Sequence, residues 1–204
     1  MLPLGGCVAD PVSGPDARRP WATVVDRPST DGRHVATSFS FDQEFAADPA
    51  TVLAMLRDPA YVQHKAERTG GTGVSVAVAP GDDGGFTLTC TRSLPAEVPS
   101  YAKSFVGDTI TVSEVQVWSA AGADGSASAT ATVDFHAPVA YTGSVELAAS
   151  GTGTVARNRG EFKANVPFVG GKVERLVAEQ TQRYLAKETE IGRASCRERV
   201  YACV

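Results

Sequence analysis

The chain has 204 residues, of which 43% are hydrophobic, and it carries a formal net charge of −4. This length and apolar content suffice for one domain with a real core. The acidic balance argues against phosphate-backbone binding as the main activity, and no uninterrupted apolar stretch reaches transmembrane length. We therefore expect no nucleic-acid partner and no transmembrane segment.

The first part of the chain, residues 1–34, is rich in proline and lacks apolar periodicity. We predict a disordered leader or a start codon assigned too early. Leu4-Gly5-Gly6-Cys7 resembles a lipoprotein cleavage box. A functioning signal needs a basic region and a longer apolar stretch, and almost nothing precedes Cys7.

The end of the chain is unusual for a different reason. The peptide from Glu190 to Tyr201 matches the in-frame translation of a common sequencing adapter, so we interpret residues 191–204 as a non-native tail. On this interpretation the natural sequence diverges near Glu190 and its own C-terminus is missing; a natural basic tail is the alternative. Removing residues 191–204, which hold three arginines and one glutamate, shifts the formal charge from −4 to −6.

The cysteines fall mostly outside the predicted domain, which we place at residues 35–190. Cys7 lies in the leader, Cys196 and Cys203 lie in the tail, and Cys90 alone belongs to the domain. A single cysteine forms neither an intradomain disulfide nor a cysteine metal cluster. We expect no metal site, and a reducing cytoplasm fits this cysteine content.

The domain begins with a predicted strand and two short helices. Three phenylalanines share one face of the alternating segment 37–46, which is typical of a half-buried strand: Phe39, Phe41 and Phe45. Asp48-Pro49 and Asp58-Pro59 each place an N-cap residue before a proline at the first helical position. They predict two short helices, the second of which ends at about Glu67.

Six further strands, separated by turn signals, are predicted between Val74 and Val166. The apolar residues change parity between Val112 and Val115, which indicates a bulge or a strand buried on both faces. Small residues dominate one face of the segment 126–137 and leave room for a helix or a ligand. The irregular segment 95–105, with Pro99, Tyr101 and Phe105, could cover one end of a cavity.

A long amphipathic helix over residues 172–188 is predicted to close the domain. Its apolar stripe consists of Val173, Leu176, Val177, Gln180, Tyr184 and Leu185. Its solvated side carries Arg175, Glu179, Arg183 and Lys187. This order of elements predicts an α+β helix-grip fold, in which a curved antiparallel sheet wraps around the long helix. A mostly apolar cavity between sheet and helix is the default place to look for function.

Four segments stand out beside this layout: Phe39-Ser40-Phe41-Asp42-Gln43-Glu44-Phe45, Asp48-Pro49-Ala50-Thr51-Val52, Asp58-Pro59-Ala60-Tyr61-Val62 and Gly170-Gly171-Lys172-Val173-Glu174. In these segments and in its layout the chain resembles the START-like, or birch-pollen-allergen-like (SRPBCC), helix-grip superfamily, and within it a bacterial domain family of unknown function. The resemblance covers roughly residues 35–190. It implies a hydrophobic cavity between the sheet and the long helix, roofed by the early helices. The narrower family offers no catalytic residues to carry over.

Arg92 has the inward parity of its strand and is the most informative polar residue. A buried arginine needs a carboxylate, either from Glu114 across the sheet or from an acidic ligand. The simpler interpretation, which we prefer, is that Arg92 lies at the open end of the strand and extends to water. Arg157, Arg159, Glu161 and Lys163 alternate along one strand and are interpreted as a solvent-facing charge ladder.

The sequence contains no recognisable catalytic or cofactor motif. His64 is interpreted as a solvated helical residue and His136 as outward-facing, so zinc is not expected. Gly151-x-Gly153 and Gly170-Gly171 do not form a nucleotide-binding fingerprint, and no G-x-S-x-G elbow is present. Cys90 is interpreted as a core thiol. We therefore expect no cofactor.

Three functional hypotheses follow. The leading one is binding of an apolar or amphipathic small molecule, lipid-like or polyketide-like, whose head group is oriented by Arg92, Glu114 and Tyr141. The candidate cavity residues are Phe39, Phe41, Phe86, Leu88, Arg92, Glu114, Ala129, Ala131, Tyr141, Val173, Val177 and Tyr184. The second is an enzyme of cyclase or hydrolase type, which needs Glu114, His136 or Tyr141 to converge in the pocket. The third is a protein-interaction module with a filled core.

Overall fold

The computed structural model describes residues 22–25, 36–96, 103 and 107–202, with side chains from residue 36 to residue 197 within these ranges. The strands are β1 Ala22–Val25, β2 Thr37–Phe45, β3 Thr72–Pro80, β4 Phe86–Pro95, β5 Thr109–Trp118, β6 Ala127–Ala137, β7 Val139–Ser150 and β8 Gly153–Ala164, and the helices are α1 Pro49–Arg57, α2 Pro59–Arg68 and α3 Gly170–Ala202.

The described strands form a single antiparallel sheet in the order β1-β2-β8-β7-β6-β5-β4-β3. The long helix α3 packs mainly on β2 and β8, while α2 packs on β3 at the other edge. The predicted helix-grip architecture and the predicted order of elements are confirmed. Since α3 covers one side of the inner face and α2 the other, a space is left between them above the central strands.

Aspartate caps set the two short helices after β2, as predicted. The Asp48 side chain accepts a hydrogen bond from the Thr51 N–H at 3.0 Å, and Asp58 accepts one from the Ala60 N–H at 2.9 Å. A proline stands at the start of each helix, where its missing N–H costs nothing. Asp58 also ends α1, because its backbone N–H bonds to the Met55 carbonyl.

Aromatic side chains fill the part of the core between β2, β7 and β8. Phe162 is fully buried, and its ring centroid lies 5.4 Å from that of Phe39 and 5.0 Å from that of Tyr141. Tyr141 and Phe162 are cross-strand partners, so the sheet register brings the two rings together. Contacts of this kind contribute about 1 kcal/mol beyond the apolar area that they bury.

The prediction that β5 contains a bulge or is buried on both faces is wrong. Its pairing with β4 is continuous, without a bulge, and Val117 on its outer face is 51% exposed, so the strand is not buried on both faces. The inner face instead carries the polar residues Glu114 and Gln116, which explains why the apolar parity changes. The irregularity lies in β6, where His136 has a φ of +46°.

Ordered elements extend past both predicted domain boundaries, residue 35 and residue 190. Four residues of the predicted leader, Ala22–Val25, form β1 and pair with β2. Helix α3 continues beyond Glu190, and Cys196 is buried with its Sγ 3.8 Å from the Met55 Sδ. The adapter origin of residues 191–204 and the boundaries at 35 and 190 stay predictions.

Pro99, Tyr101 and Phe105, which were predicted to cover one end of a cavity, lie outside the described residues. Among the helices that the structure describes, none combines the length and apolar character needed to cross a membrane.

Candidate functional site

A cavity of about 340 Å³ lies between α3 and the inner face of the sheet. This volume is within the range of small-molecule sites, roughly 300–1,000 Å³. Nine of the predicted site residues line it: Phe39, Leu88, Arg92, Glu114, Ala131, Tyr141, Val173, Val177 and Tyr184. Most of the remaining wall is apolar and comes from the central strands and from α3. A void of this size disagrees with the hypothesis of a protein-interaction module, which predicts a core filled by side chains.

Three predicted site residues, Phe41, Phe86 and Ala129, are buried but do not line the cavity. Phe86 stacks on Trp118 with ring centroids 5.9 Å apart, and Ala129 is the cross-strand partner of Trp118. The large indole fills that end of the sheet and separates both residues from the void. Phe41 belongs to the packed core, where it is 4% exposed. Inward parity therefore indicated burial correctly but not contact with the cavity.

The apolar stripe predicted on α3 lines the cavity, and Val173, Val177 and Leu185 in it also pack against the core. Val173, Leu176, Val177, Tyr184 and Leu185 all line the void and are only half-buried. The buried positions of the helix include Glu174, Ala178, Glu188, Thr189 and Cys196. The helix thus contacts the rest of the domain through buried polar and small residues as well as through its apolar stripe, and the stripe also forms part of the cavity wall.

A first group of polar side chains projects from β4 and β5 into the cavity. Arg92 Nη1 lies 3.1 Å from Glu114 Oε2, and Glu114 Oε1 accepts a hydrogen bond from Gln116 Nε2 at 2.6 Å. Gln116 Oε1 in turn accepts one from Trp118 Nε1 at 2.8 Å. Arg92 is only 6% exposed, so the interpretation that it extends to water is wrong. Its partner is Glu114 on the neighbouring strand, which was one of the two carboxylate sources considered from the sequence.

A second group joins α2 to α3 beside the first. Lys65 Nζ lies 3.1 Å from Glu188 Oε2, and the Thr69 and Tyr184 hydroxyls hydrogen-bond at 2.7 Å. The Arg92 guanidinium lies 4.9 Å from the centroid of the Tyr184 ring, which joins the two groups into one polar cluster. Lys65 and Glu188 were not predicted as site residues from the sequence. Glu188 follows Tyr184 by four residues and shares its face, so helical spacing could have found it.

The charges in this polar cluster are set by their neighbours. Burial alone would raise the pKa of Glu114, but the Arg92 and Lys65 charges outweigh burial and hold this pKa below its ordinary value. Burial would lower the pKa of Lys65, and the Glu188 charge more than reverses the effect. Burial and the Glu114 charge raise the pKa of Tyr141 to about 12. Burial and the Glu188 charge likewise raise the pKa of Tyr184. Both phenols are therefore neutral near pH 7 and do not act as bases.

Two glycines make the room that Tyr141 occupies in the cavity wall. Gly143 and Gly160 are cross-strand partners on β7 and β8. A Cβ at Gly143 would overlap the Tyr141 hydroxyl, and a Cβ at Gly160 would lie 2.6 Å from it. The phenol thus lies across a strip of sheet without side chains, next to Ala131 on β6, which pairs with Gly143.

Both described histidines lie outside the cavity, as predicted. His136 is exposed on the outer face and its Nε2 lies 3.0 Å from Ser113 Oγ, while His64 is exposed on α2. Of the three residues considered for an enzyme, Glu114 and Tyr141 therefore line the cavity and His136 does not. In the part of the chain that the structure describes, no group of three or more histidine, cysteine, aspartate or glutamate side chains is arranged to hold a metal ion.

Comparison with known families gives one match that covers most of the chain. The model of the family described as "Protein of unknown function (DUF2505)" matches residues 40–194. No curated protein sequence matches the chain significantly.

Solved structures with the same architecture are numerous and distant in sequence. The aromatase/cyclase Zhui from Streptomyces sp. R1128 is 12% identical, with a TM-score of 0.56 over 80% of this chain and 94% of its own. A STAR-related lipid transfer protein from Xanthomonas axonopodis is 10% identical, with a TM-score of 0.53 over 87% and 99%. Human STARD10 is 8% identical, with a TM-score of 0.54 over 84% and 73%. These likenesses confirm the predicted START-like helix-grip fold.

Proposed function

The chain belongs to the DUF2505 family, and because that family's description names no activity, we propose from the cavity itself that the protein binds an amphipathic small molecule. The apolar body of the ligand lies between α3 and the central strands. Its polar group lies at the cluster formed by Arg92, Glu114, Lys65, Glu188 and Tyr184. A lipid-like or polyketide-like molecule has this division into apolar and polar parts.

The observation that carries this proposal is the composition of the cavity wall. A void of about 340 Å³ lined mostly by aliphatic and aromatic side chains, with Arg92, Glu114, Lys65 and Glu188 gathered in one cluster, has the composition of a small-molecule site. Of the structures with the same fold, one is named a STAR-related lipid transfer protein and another an aromatase/cyclase. These names support a cavity that takes apolar molecules.

The proposal is tested by filling the cavity. Ala131 lies in the wall and is 5% exposed, so Ala131→Phe places a ring inside the void. Ala140 on β7 is exposed to solvent, and Ala140→Phe is the matched control. An environment-sensitive apolar dye such as anilinonaphthalene sulfonate is titrated into the folded wild-type chain and both variants.

We expect saturable dye binding by the wild type and by Ala140→Phe, and at least tenfold weaker binding by Ala131→Phe. Equal binding by all three proteins would place the dye outside the cavity and contradict the proposal. Circular dichroism and thermal unfolding of Ala131→Phe establish that the variant is folded before its affinity is interpreted. The cytoplasmic location predicted from the cysteine content stays a prediction, and fractionation of the source cell tests it.

A further inference from the structure

We infer that the ligand of this cavity carries an acidic group, such as a carboxylate, which is held by the cationic side chains of the cavity wall. This inference rests on the proposed function and names the chemical class of the ligand's polar end. It depends on the balance of charges around the cavity, on their pairing, and on one donor that is left unused.

The positive charges of the cavity wall outnumber its negative charges. Four cations and two carboxylates line the cavity: Lys65, Arg92, Arg183, Lys187, Glu114 and Glu188. The two carboxylates are each paired with one buried cation, at 3.1 Å in both cases. Two positive charges therefore have no counter-charge in the wall, although the whole chain has a net charge of −4.

The two uncompensated cations stand next to the polar cluster. Arg183 precedes Tyr184, whose ring contacts the Arg92 guanidinium, and Lys187 precedes Glu188, which pairs with Lys65. About one helical turn separates Arg183 from Lys187, so their backbone positions lie about 6 Å apart along the α3 axis and share one face of the helix. Both are exposed, and neither has an ion-pair partner among the described residues. They can therefore move toward a bound anion without breaking an existing pair.

Arg92 adds a further donor at the same place. Its Nη1 is engaged by Glu114, but its Nε is buried and has no hydrogen-bond partner in the described part of the chain. An unused charge-assisted donor in a buried position is costly, and a carboxylate oxygen is the acceptor that arginine binds best. An alcohol or ketone could accept this hydrogen bond but would leave the two charges on α3 without a partner.

The test compares two probes that differ only at the polar end. Decanoate and decanol are titrated by calorimetry into the full chain near neutral pH, in buffers of low and high salt. We expect decanoate to bind roughly threefold to tenfold more tightly than decanol at low salt, because two partly exposed charges contribute modestly. The advantage should shrink at high salt, since salt screens exposed charges.

Two double variants locate the effect. Arg183→Gln/Lys187→Gln should remove most of the preference for decanoate over decanol. Lys163→Gln/Lys172→Gln removes the same charge from exposed positions outside the wall and should keep the preference. Equal affinities for the two probes, or equal losses in both double variants, would overturn the acidic-ligand inference and leave the proposed function standing. Failure of both probes to bind the wild type would count against the proposed function as well.

Discussion

Glu174 and Thr37 join the start of the long helix to the start of β2. The Glu174 Oε2 accepts hydrogen bonds from the Thr37 N–H at 3.0 Å and from its hydroxyl at 2.9 Å. The Oε1 accepts one from the Ala164 N–H at 2.6 Å, at the end of β8. One fully buried carboxylate thus connects the start of α3 to two strands, which fixes the helix over the inner face of the sheet, where it forms one wall of the cavity.

Removing this carboxylate should therefore strongly destabilise the folded protein. Glu174→Ala leaves two backbone N–H groups buried without an acceptor, and we expect a loss of about 3 kcal/mol in the free energy of unfolding. Glu179→Ala, on the exposed side of the same helix, should change stability by less than about 0.5 kcal/mol. Urea unfolding followed by circular dichroism measures both. A Glu174→Ala protein as stable as Glu179→Ala would show that this carboxylate does not hold the helix in place.

Acidic pH should lower the stability of the folded protein by protonating Glu114. Because its folded-state pKa lies below the ordinary value of 4.5, its contribution is present above pH 4.5 and is lost as the pH falls through the folded-state pKa. We expect Glu114→Gln to be less stable at neutral pH by about 3 kcal/mol, since Arg92 loses its charged partner. Below pH 4.5 the variant should lose less stability than the wild type. Parallel pH profiles of the unfolding free energy for the two proteins would contradict this account of the ion pair.

A side chain at Gly143 should disturb the cavity wall. Gly143→Ala places a methyl group against the Tyr141 hydroxyl and the Arg159 carbonyl, and we expect a loss of about 2 kcal/mol from overpacking. Gly151→Ala is a useful comparison, because a Cβ there meets no atom within 4 Å, although its φ of +59° carries a strain of its own. In the double variant Gly143→Ala/Tyr141→Phe, removal of the hydroxyl should restore part of the loss. No recovery in thermal unfolding would mean that the phenol is not what Gly143 accommodates.

The loop before α3 contains a residue whose backbone is unfavourable for its side chain. Phe168 is fully exposed and has a φ of +65°, a region that glycine occupies at little cost. We expect Phe168→Gly to stabilise the protein by about 0.5 kcal/mol, the gain being limited by the greater freedom of glycine in the unfolded chain. Phe168→Ala keeps the strain and should give no gain. Stabilisation by alanine equal to that by glycine would assign the effect to the exposed ring.

The local signals of the sequence were sufficient for the fold. Asp48-Pro49 and Asp58-Pro59 start helices because capping is a local interaction, and the alternation of Phe39, Phe41 and Phe45 predicts their burial in β2. The same alternation could not separate cavity wall from packed core, because Phe41 and Phe39 have the same parity and only Phe39 reaches the void. That distinction depends on where α3 crosses the sheet.

The polar cluster was predictable only in part. Arg92 and Glu114 lie on neighbouring strands, where they are diagonal neighbours, since Arg92 is opposite Val112 and Glu114 is opposite Cys90. The sequence suggested this contact as one alternative, but the preferred interpretation, in which Arg92 extends to water, was wrong. Lys65 and Glu188 lie on two helices separated by more than one hundred residues, and their contact depends on tertiary packing. Ala22–Val25 carries too short an alternation to predict β1, which exists because β2 offers an edge.

The central claim is that the cavity holds an amphipathic small molecule. Native mass spectrometry of the purified full chain, with organic extraction of the same sample, tests it most directly. We predict a population heavier than the bare chain by one small molecule, and an extract that contains the same mass with an acidic group. A chain that carries no additional mass, yields no extractable molecule and fails to bind apolar probes after delipidation would contradict the claim.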